Sequence, residues 1–217
     1  MSGPPVLVVD EVSKSYRRAA EEVAALRKVS FLLEPGEMVA VVGPSGSGKT
    51  TLLNLVCGWE RPDDGELRWG DGFPGDDPAD FGWAHLAIVP QALGLAEDLS
   101  VRENVALPGR LARGHPSVPV DDLLFAFGLD QLAARQPKET SLGEQQRAAV
   151  ARALALEPRL LLADEPSAHQ NAAWAEAILD AFRRAADGGA ACLIATHDPH
   201  ALPRMDRVLT LRDGELV

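Results

Sequence analysis

A glycine-rich segment at residues 41–51, with the sequence VVGPSGSGKTT, constrains the fold of this chain more than any other feature. It matches the phosphate-binding pattern of a glycine, four variable residues, then glycine, lysine and serine or threonine, and it lies between an apolar run and a helix-like run. Glycines at positions 43, 46 and 48 let backbone N–H groups converge on an anion, and the following helix adds the positive end of its dipole. The segment therefore predicts a strand, a phosphate-binding loop and a helix that bind a nucleoside triphosphate, in preference to a simple turn rich in glycine and serine.

The polar side chains of this segment predict the contacts that the nucleotide makes. Lys49 is expected to reach the β- and γ-phosphates, and the hydroxyl of Thr50 is expected to ligate Mg²⁺. The predicted nucleotide contacts in this segment are Gly43, Ser45, Gly46, Ser47, Gly48, Lys49, Thr50 and Thr51.

The formal net charge of −11 argues against nucleic acid as a partner, because binding to DNA or RNA needs a basic surface. Much of the acidity falls between residues 63 and 80, interleaved with glycine and proline, which favours a solvated loop over a metal site. No apolar run approaches the roughly 20 residues that a membrane-spanning helix needs, and the first residues lack the pattern of a secretory signal. We therefore expect a cytoplasmic protein in which Cys57 and Cys192 are buried free thiols rather than a disulfide.

β-type runs and helix-like runs alternate along much of the chain. The β-type runs lie at residues 5–10, 29–33, 38–42, 65–69, 160–163, 191–195 and 208–211. Helical spacing of apolar residues is found at 101–107, 121–127 and 143–156, and a helix of roughly 17 residues is predicted to begin near residue 171. The pattern predicts an α/β fold with a mostly parallel sheet and a helical middle portion.

Residues 159–165, with the sequence RLLLADE, form an apolar run that ends in two carboxylates. A buried strand would present Asp164 at its tip, where P-loop enzymes hold the Mg²⁺ shell, and Glu165 could orient or deprotonate the attacking water. An acidic turn after a core strand is the alternative, and the glycine-rich segment upstream disfavours it.

Residues 140–147, with the sequence TSLGEQQR, give the chain a resemblance to the ATP-binding cassette ATPases. The signature of that family is LSGGQ or LSGGEQQR before a helix, and this chain has the serine at Ser141, the second glycine at Gly143 and the whole EQQR tail. Ser141 and Glu144 also match the capping box of any helix start, but capping does not account for Gly143 or for the tail.

Three further residues match landmarks of the family in the expected order along the chain. Tyr16 matches the aromatic residue that stacks on adenine, Gln91 matches the Q-loop glutamine, and His197 matches the switch histidine. The resemblance implies catalytic roles for Glu165, His197 and Gln91, and metal contacts from Thr50, Gln91 and Asp164.

Two positions depart from the family pattern. Leu142 replaces the first glycine of the signature, and Asn171 replaces an aspartate in the segment that follows Glu165. A leucine at position 142 costs about 1–2 kcal/mol relative to glycine if the backbone there is left-handed, and almost nothing if it is helical or extended. Asn171 can still cap the following helix but lacks a negative charge. Our hypothesis is that basal ATPase activity is low and that Leu142→Gly combined with Asn171→Asp raises it.

The resemblance implies an α/β P-loop NTPase in which an N-terminal antiparallel β part precedes a mostly parallel sheet. It implies one ATPase domain over residues 1–217, with a helical signature subdomain at about residues 92–156. Cassettes of this family bind ATP and Mg²⁺ and dimerise head to tail, so that Ser141 and Gly143 of one copy complete the site of the second copy. A separate integral membrane permease would dock near Gln91, which would place the protein on the inner face of the cell membrane.

Other segments indicate a branch within the family, and further features of the sequence bear on the competing functions. The short single-cassette format and residues 41–55, 101–107 and 207–217 resemble the lipoprotein-release and macrolide-exporter branch. A soluble cassette for DNA repair, chromosome organisation or translation is disfavoured, because the sequence has no coiled-coil arms, zinc cysteines, second cassette or basic surface. A P-loop kinase is also disfavoured, since it does not account for the signature. A nucleotide-gated clamp with low turnover stays open because of Leu142 and Asn171.

Overall fold

The computed structural model describes residues 3–18, 21–112, 115 and 117–217. Its strands are β1 (Leu7–Arg18), β2 (Glu21–Leu33), β3 (Met38–Val42), β4 (Asp64–Trp69), β5 (Leu86–Val89), β6 (Leu160–Asp164), β7 (Ala191–Ala195), β8 (Arg207–Arg212) and β9 (Glu215–Leu216). Its α-helices are α1 (Lys49–Val56), α2 (Val101–Leu111), α3 (Val120–Ala126), α4 (Leu142–Leu154) and α5 (Ala172–Asp187).

The strands form two sheets. An antiparallel sheet has the order β2-β1-β4, and a larger sheet has the order β5-β6-β7-β3-β8-β9, in which only the β8–β9 pairing is antiparallel. Ala195 at the end of β7 pairs with Val41 of β3 on one side and with Asp164 of β6 on the other. The carboxyl ends of these three parallel strands therefore lie next to one another, and residues that follow them are brought together.

Both faces of the larger sheet are covered, which accounts for the continuous apolar runs of its central strands. Leu161 and Ala163 of β6 pack into a core shared with α2, α3, α4 and α5. Leu160 and Leu162 point to the opposite face, into a core shared with α1 and the antiparallel sheet. Every residue of β6 and β7 is buried, so both strands are recognisable from sequence as unbroken hydrophobic segments.

The sequence predictions for β1 and β2 were too short. The predicted runs covered residues 5–10 and 29–33, whereas the two strands extend to a long hairpin of 12 and 13 residues. Irregular pairing and positive φ angles of 47° at Glu11 and 46° at Lys28 interrupt the alternation of apolar and polar residues. The buried Val12 and Leu26 lie beyond these interruptions, where a strict period of two no longer identifies them.

The helical middle portion was predicted with small errors at the element ends. α2 continues to Leu111 through Pro108, and α4 begins at Leu142 rather than at residue 143 and ends at Leu154 rather than at residue 156. β5 was not predicted, although its four residues are apolar and Pro90 follows them. No helix in the described parts of the chain is long and apolar enough to cross a membrane.

The cysteine prediction is confirmed by the structure. Cys57, which follows α1, and Cys192, in β7, are both free and buried. Burial raises the pKa of Cys57 to about 11 and the pKa of Cys192 to about 12.

Candidate nucleotide-binding site

The glycine-rich loop lies between the end of β3 and the start of α1, as the sequence predicted. Gly43 and Gly48 have positive φ angles, and a Cβ atom on them would lie 2.0 Å from the carbonyl oxygen of Leu211 and 2.4 Å from that of Ala25, respectively. Gly46 also has a positive φ, of 80°, but a Cβ there would meet no atom of the described residues within 4 Å. Gly43 and Gly48 therefore allow close packing of the loop against the protein, whereas Gly46 faces open space.

The side chains of the loop place polar groups around this space. The Nζ atom of Lys49 donates hydrogen bonds to the carbonyl oxygens of Gly43, at 2.8 Å, and Pro44, at 3.1 Å. Ser47 is buried, and its Oγ atom has no hydrogen-bond partner among the described residues. Ser45 is exposed, and Thr51 lies in the first turn of α1.

Thr50 and Asp164 form the direct link between the loop and β6. The Thr50 hydroxyl donates to Oδ2 of Asp164 at 2.7 Å, and Asp164 is only 4% exposed. Burial raises the pKa of Asp164, the bond from Thr50 opposes this, and the neighbouring carboxylate of Glu165 adds to the increase. Both residues line a cavity of about 310 Å³ together with Gln91, which follows β5 and is exposed. A hydroxyl, a carboxylate and an amide at one cavity are oxygen ligands of the kind that Mg²⁺ prefers.

Glu165 and His197 form the second pair at this edge of the sheet. Oε1 of Glu165 lies 2.6 Å from Nδ1 of His197, and Oε2 accepts hydrogen bonds from the Thr196 hydroxyl at 3.3 Å and from the His197 backbone N–H at 3.4 Å. Glu165 has a φ of 52°, a conformation that non-glycine residues adopt infrequently. The hydrogen bond to Glu165 raises the pKa of His197, and the charge of the carboxylate adds to this. The pair therefore holds a carboxylate in a fixed orientation beside Asp164.

Tyr16, in β1, lies next to the first turn of α1. Its hydroxyl donates to a carboxylate oxygen of Glu60 and lies 3.4 Å from the hydroxyl of Thr51. Burial raises the pKa of Tyr16, and the bond to Glu60 raises it further. Tyr16 as a whole is 36% exposed, and the Nζ atom of Lys14 lies 5.9 Å from the centre of its ring.

Ser141 and Gly143 lie at the start of α4. The Ser141 side chain accepts from the backbone N–H of Glu144, whose carboxylate accepts from the Ser141 backbone N–H at 2.7 Å, which completes a capping box. A Cβ on Gly143 would lie 3.0 Å from the carbonyl oxygen of His169, so this position has little room for a side chain. In the described part of the chain, no hydrogen bond joins Ser141 or Gly143 to the glycine-rich loop.

The structure decides between the two conformations considered for Leu142. This residue is the first of α4, it is absent from the positive-φ residues of the described chain, and its side chain is 48% exposed. Leucine is therefore unstrained here, and the proposed gain from replacing it with glycine loses its physical basis. Asn171 is the N-cap of α5, and its Oδ1 atom accepts from the backbone N–H of Trp174 at 3.0 Å.

The family profile described as ABC transporter matches residues 26–168. The chain belongs to the ABC transporter family. It is 41% identical, over 97% of this chain and 96% of the relative, to the lipoprotein-releasing system ATP-binding protein LolD of Granulibacter bethesdensis. It is 40% identical to LolD 1 of Rhodospirillum rubrum over 97% of each chain.

A solved structure shares the fold of this ABC protein. The dimeric post-hydrolysis state of the ATP-binding cassette MJ0796, bound to ADP and Pi, superposes with a TM-score of 0.87 at 29% identity and covers 97% of this chain and 96% of that chain. The sequence predictions of an α/β P-loop NTPase fold and of an ATP-hydrolysing ABC transporter subunit are therefore confirmed.

Sequence reasoning on this ABC protein missed the contacts that connect α4 to the segment after Glu165. The Nε atom of Arg147 donates to the Phe127 carbonyl oxygen at 2.8 Å, Nη1 donates to Gln170 at 3.2 Å, and the guanidinium carbon lies 4.3 Å from the centre of a Trp174 ring. Gln170 in turn donates to the carbonyl oxygen of Gly143 at 2.9 Å. The EQQR tail was a signal for Arg147, whereas nothing in the sequence distinguished Gln170 from a surface glutamine.

Proposed function

We propose that this protein powers a separate membrane permease by binding and hydrolysing ATP between two copies of the chain, in a system of the lipoprotein-releasing type. The observation that carries the proposal is that two hydrogen-bonded pairs, Thr50 with Asp164 and Glu165 with His197, lie beside the carboxyl ends of the neighbouring strands β6 and β7. This arrangement supplies metal ligands next to an oriented carboxylate, as hydrolysis of a phosphoanhydride requires. We further propose a single ATPase domain, with residues 92–156 as its helical subdomain.

The loop residues have the role of holding the triphosphate. Backbone N–H groups around Gly46 and the dipole of α1 attract the phosphate oxygens, and Lys49 exchanges its bonds to the carbonyl oxygens of Gly43 and Pro44 for bonds to phosphate. Tyr16, a partly exposed aromatic residue next to the first turn of α1, is the residue on which adenine would stack. Ser45, Ser47 and Thr51 complete the phosphate side of the site.

Thr50, Asp164 and Gln91 are the residues that would hold Mg²⁺, and their oxygen donors fit this ion. The bound ion would supply neutralisation of negative charge on the β- and γ-phosphates. Glu165 would accept the proton of the attacking water, while Thr196 and His197 fix the orientation of the Glu165 carboxylate. The products are ADP and phosphate.

A second copy of the chain is proposed to complete the site. Ser141 and Gly143 make their hydrogen bonds within the capping box and with Gln170, and none with the loop of the described chain. The exposed start of α4 is therefore free to meet the nucleotide of a partner copy, and the similar MJ0796 cassette is itself dimeric in its post-hydrolysis state. The clamp alternative stayed open because of possible strain at Leu142 and the negative charge that Asn171 lacks; Leu142 lies in unstrained helical geometry, which removes the first of these reasons.

The substitution Glu165→Gln tests the catalytic proposal. It should leave ATP binding intact and lower the hydrolysis rate by about 10²–10⁴, the usual contribution of a general base. The variant should also form a dimer in gel filtration only when ATP is present. Glu157→Gln is a matched control, because Glu157 is exposed, has a similar φ of 47°, and lies outside the site. Hydrolysis by the Glu165 variant at the parental rate would remove this residue from its role.

The permease is tested by photo-crosslinking in cells. A crosslinking amino acid at the exposed Ala92, next to Gln91, should capture an integral membrane protein, and the same group at the exposed Asp76 should not. Capture of only soluble proteins or nucleic acid from position 92 would contradict the proposed membrane partner and the placement of the protein on the inner face of the membrane.

A further inference from the structure

The segment that follows Gln91 is held by polar side chains from two helices. Asn104 of α2 is fully buried, its Oδ1 atom accepts from the backbone N–H of Ala96 at 2.8 Å, and its Nδ2 atom donates to the carbonyl oxygen of Leu99 at 3.1 Å. We call residues 92–99 the Gln91 connection. This connection has no helix or strand of its own, and bonds from a buried side chain to its backbone hold it against α2 instead.

Arg152 of α4 provides the second anchor. Its Nη1 atom donates to the carbonyl oxygen of Gly94 at 2.6 Å, and its Nη2 atom donates to that of Leu93 at 2.8 Å. The planar fork of an arginine offers each of two successive carbonyl oxygens its own nitrogen donor at a fixed spacing, whereas lysine has one ammonium nitrogen on a flexible stem. The first half of the Gln91 connection therefore depends on this one side chain.

Burial of Arg152 indicates that it does more than fill space. The residue is 5% exposed, no carboxylate lies within salt-bridge distance of it in the described chain, and its Nε atom has no partner there. A buried cation without an acidic partner is unfavourable, and an apolar side chain of similar length would avoid this. The two bonds to carbonyl oxygens are therefore the interactions that offset the burial of this cation.

Arg152 also contacts the chain on the other side of Gln91. Its guanidinium carbon lies 5.4 Å from the centre of a Trp83 ring, and Trp83 precedes β5, which leads through Pro90 into Gln91. One side chain therefore touches both the segment that enters β5 and the segment that leaves Gln91. Gln91 itself shares a cavity with Thr50 and Asp164.

We propose that Arg152 is a positioning residue that fixes Gln91 relative to Thr50 and Asp164 and couples it to the start of α4. A single helix of 13 residues, about 20 Å long, carries Ser141 at its N-cap and Arg152 near its end. A displacement of the helix start when it meets a partner's nucleotide is therefore transmitted to Leu93 and Gly94, and from there to Gln91. This inference rests on the proposed roles of Gln91 and Ser141.

Hydrogen exchange of the full-length protein tests the link without reference to activity. Arg152→Lys should increase amide exchange in residues 92–99 by about tenfold or more, while exchange in α2 and β6 stays unchanged. Arg147→Lys is the matched control, since Arg147 is buried on the same helix but donates to Phe127 and Gln170 instead. Equal exchange in the Gln91 connection of both variants would overturn the anchoring role.

A double-mutant cycle with Gln91→Ala separates positioning from a general structural effect. Arg152→Lys should lower kcat about tenfold and raise the Mg²⁺ concentration for half-maximal hydrolysis, and both effects should vanish when Gln91 is already alanine. By contrast, the reductions in kcat caused by Arg147→Lys and by Gln91→Ala should multiply in the double variant. If the reductions in kcat caused by Arg152→Lys and Gln91→Ala also multiply, the inference is overturned. Parental activity of Gln91→Ala alone would instead refute the proposed role of Gln91. Should Arg152→Lys not fold, Trp83→Leu is expected to give the same pattern at smaller size, and multiplying losses there would have the same meaning.

Discussion

The substitution Gly46→Ala tests whether the open space at Gly46 binds phosphate, once the backbone strain that alanine introduces there has been accounted for. Gly46 has a φ of 80° and open space around its missing Cβ, so Gly46→Ala introduces backbone strain without a clash. A left-handed backbone costs a non-glycine residue about 1–2 kcal/mol. For a chain of this size, that change corresponds to a lower melting temperature by about 2–8 °C. Gly189, in the turn between α5 and β7, has a φ of 104° and equally open space, which makes Gly189→Ala the matched control.

The two variants should differ in nucleotide affinity. A methyl group at position 46 would enter the space where loop N–H groups converge, and losing one hydrogen bond to a charged oxygen costs about 1.5–3 kcal/mol. We therefore expect the Kd for ATP to rise by about 10- to 150-fold in Gly46→Ala and to stay at the parental value in Gly189→Ala. Calorimetric titration with ATP and thermal unfolding measure both quantities. Similar melting temperatures with equal ATP affinity in the two variants would refute the assignment of this space to phosphate.

Three smaller changes test other parts of the site. The pKa of His197, followed by NMR, should lie above its ordinary value of 6.5 and should fall in Glu165→Gln. Because the pKa of His197 is raised in the folded protein, its contact with Glu165 stabilises the fold fully at pH values below the unfolded pKa. This stabilisation is lost as the pH rises through the folded pKa. Asn171→Ala should lower the free energy of unfolding by about 1 kcal/mol through the lost cap, whereas Asn171→Asp should not, and equal urea midpoints for all three proteins would argue against the cap. Leu142→Gly should lower this free energy by about 0.5–1 kcal/mol, as glycine does in other helices, and an increase would mean that leucine is strained.

Local sequence signals predicted the parts of the fold that depend on neighbouring residues. The loop, the strand end at Asp164 and the capped start of α4 each follow from a few adjacent residues, and the fully buried β6 and β7 follow from unbroken apolar runs. The outer parts of β1 and β2 could not be predicted in the same way, because bulges shift the side-chain alternation and charged residues face solvent. Their pairing is determined by the partner strand rather than by local propensity.

Contacts between distant residues account for most of what the sequence left open. Arg152 and Gln170 act through bonds to backbone carbonyl oxygens more than 25 positions away, and such bonds leave no periodic pattern in the sequence. The conformation of Leu142 was also undetermined, since both a helical and a left-handed backbone agree with the same residues. In the structure Ser141 is the N-cap of α4, which makes Leu142 the first helical residue and gives it a helical backbone.

The burial of both cysteines has a practical consequence for labelling. The thiolate is the form that reacts with maleimides and related reagents, and a thiol with a pKa of about 11 or 12 is almost entirely protonated at neutral pH. Cys57 and Cys192 are also screened from reagents by the surrounding core. A cysteine introduced at an exposed position should therefore be the dominant reactive thiol of the folded protein. Fluorophores and spin labels can thus be attached to the wild-type background, with no need to replace native residues of the core.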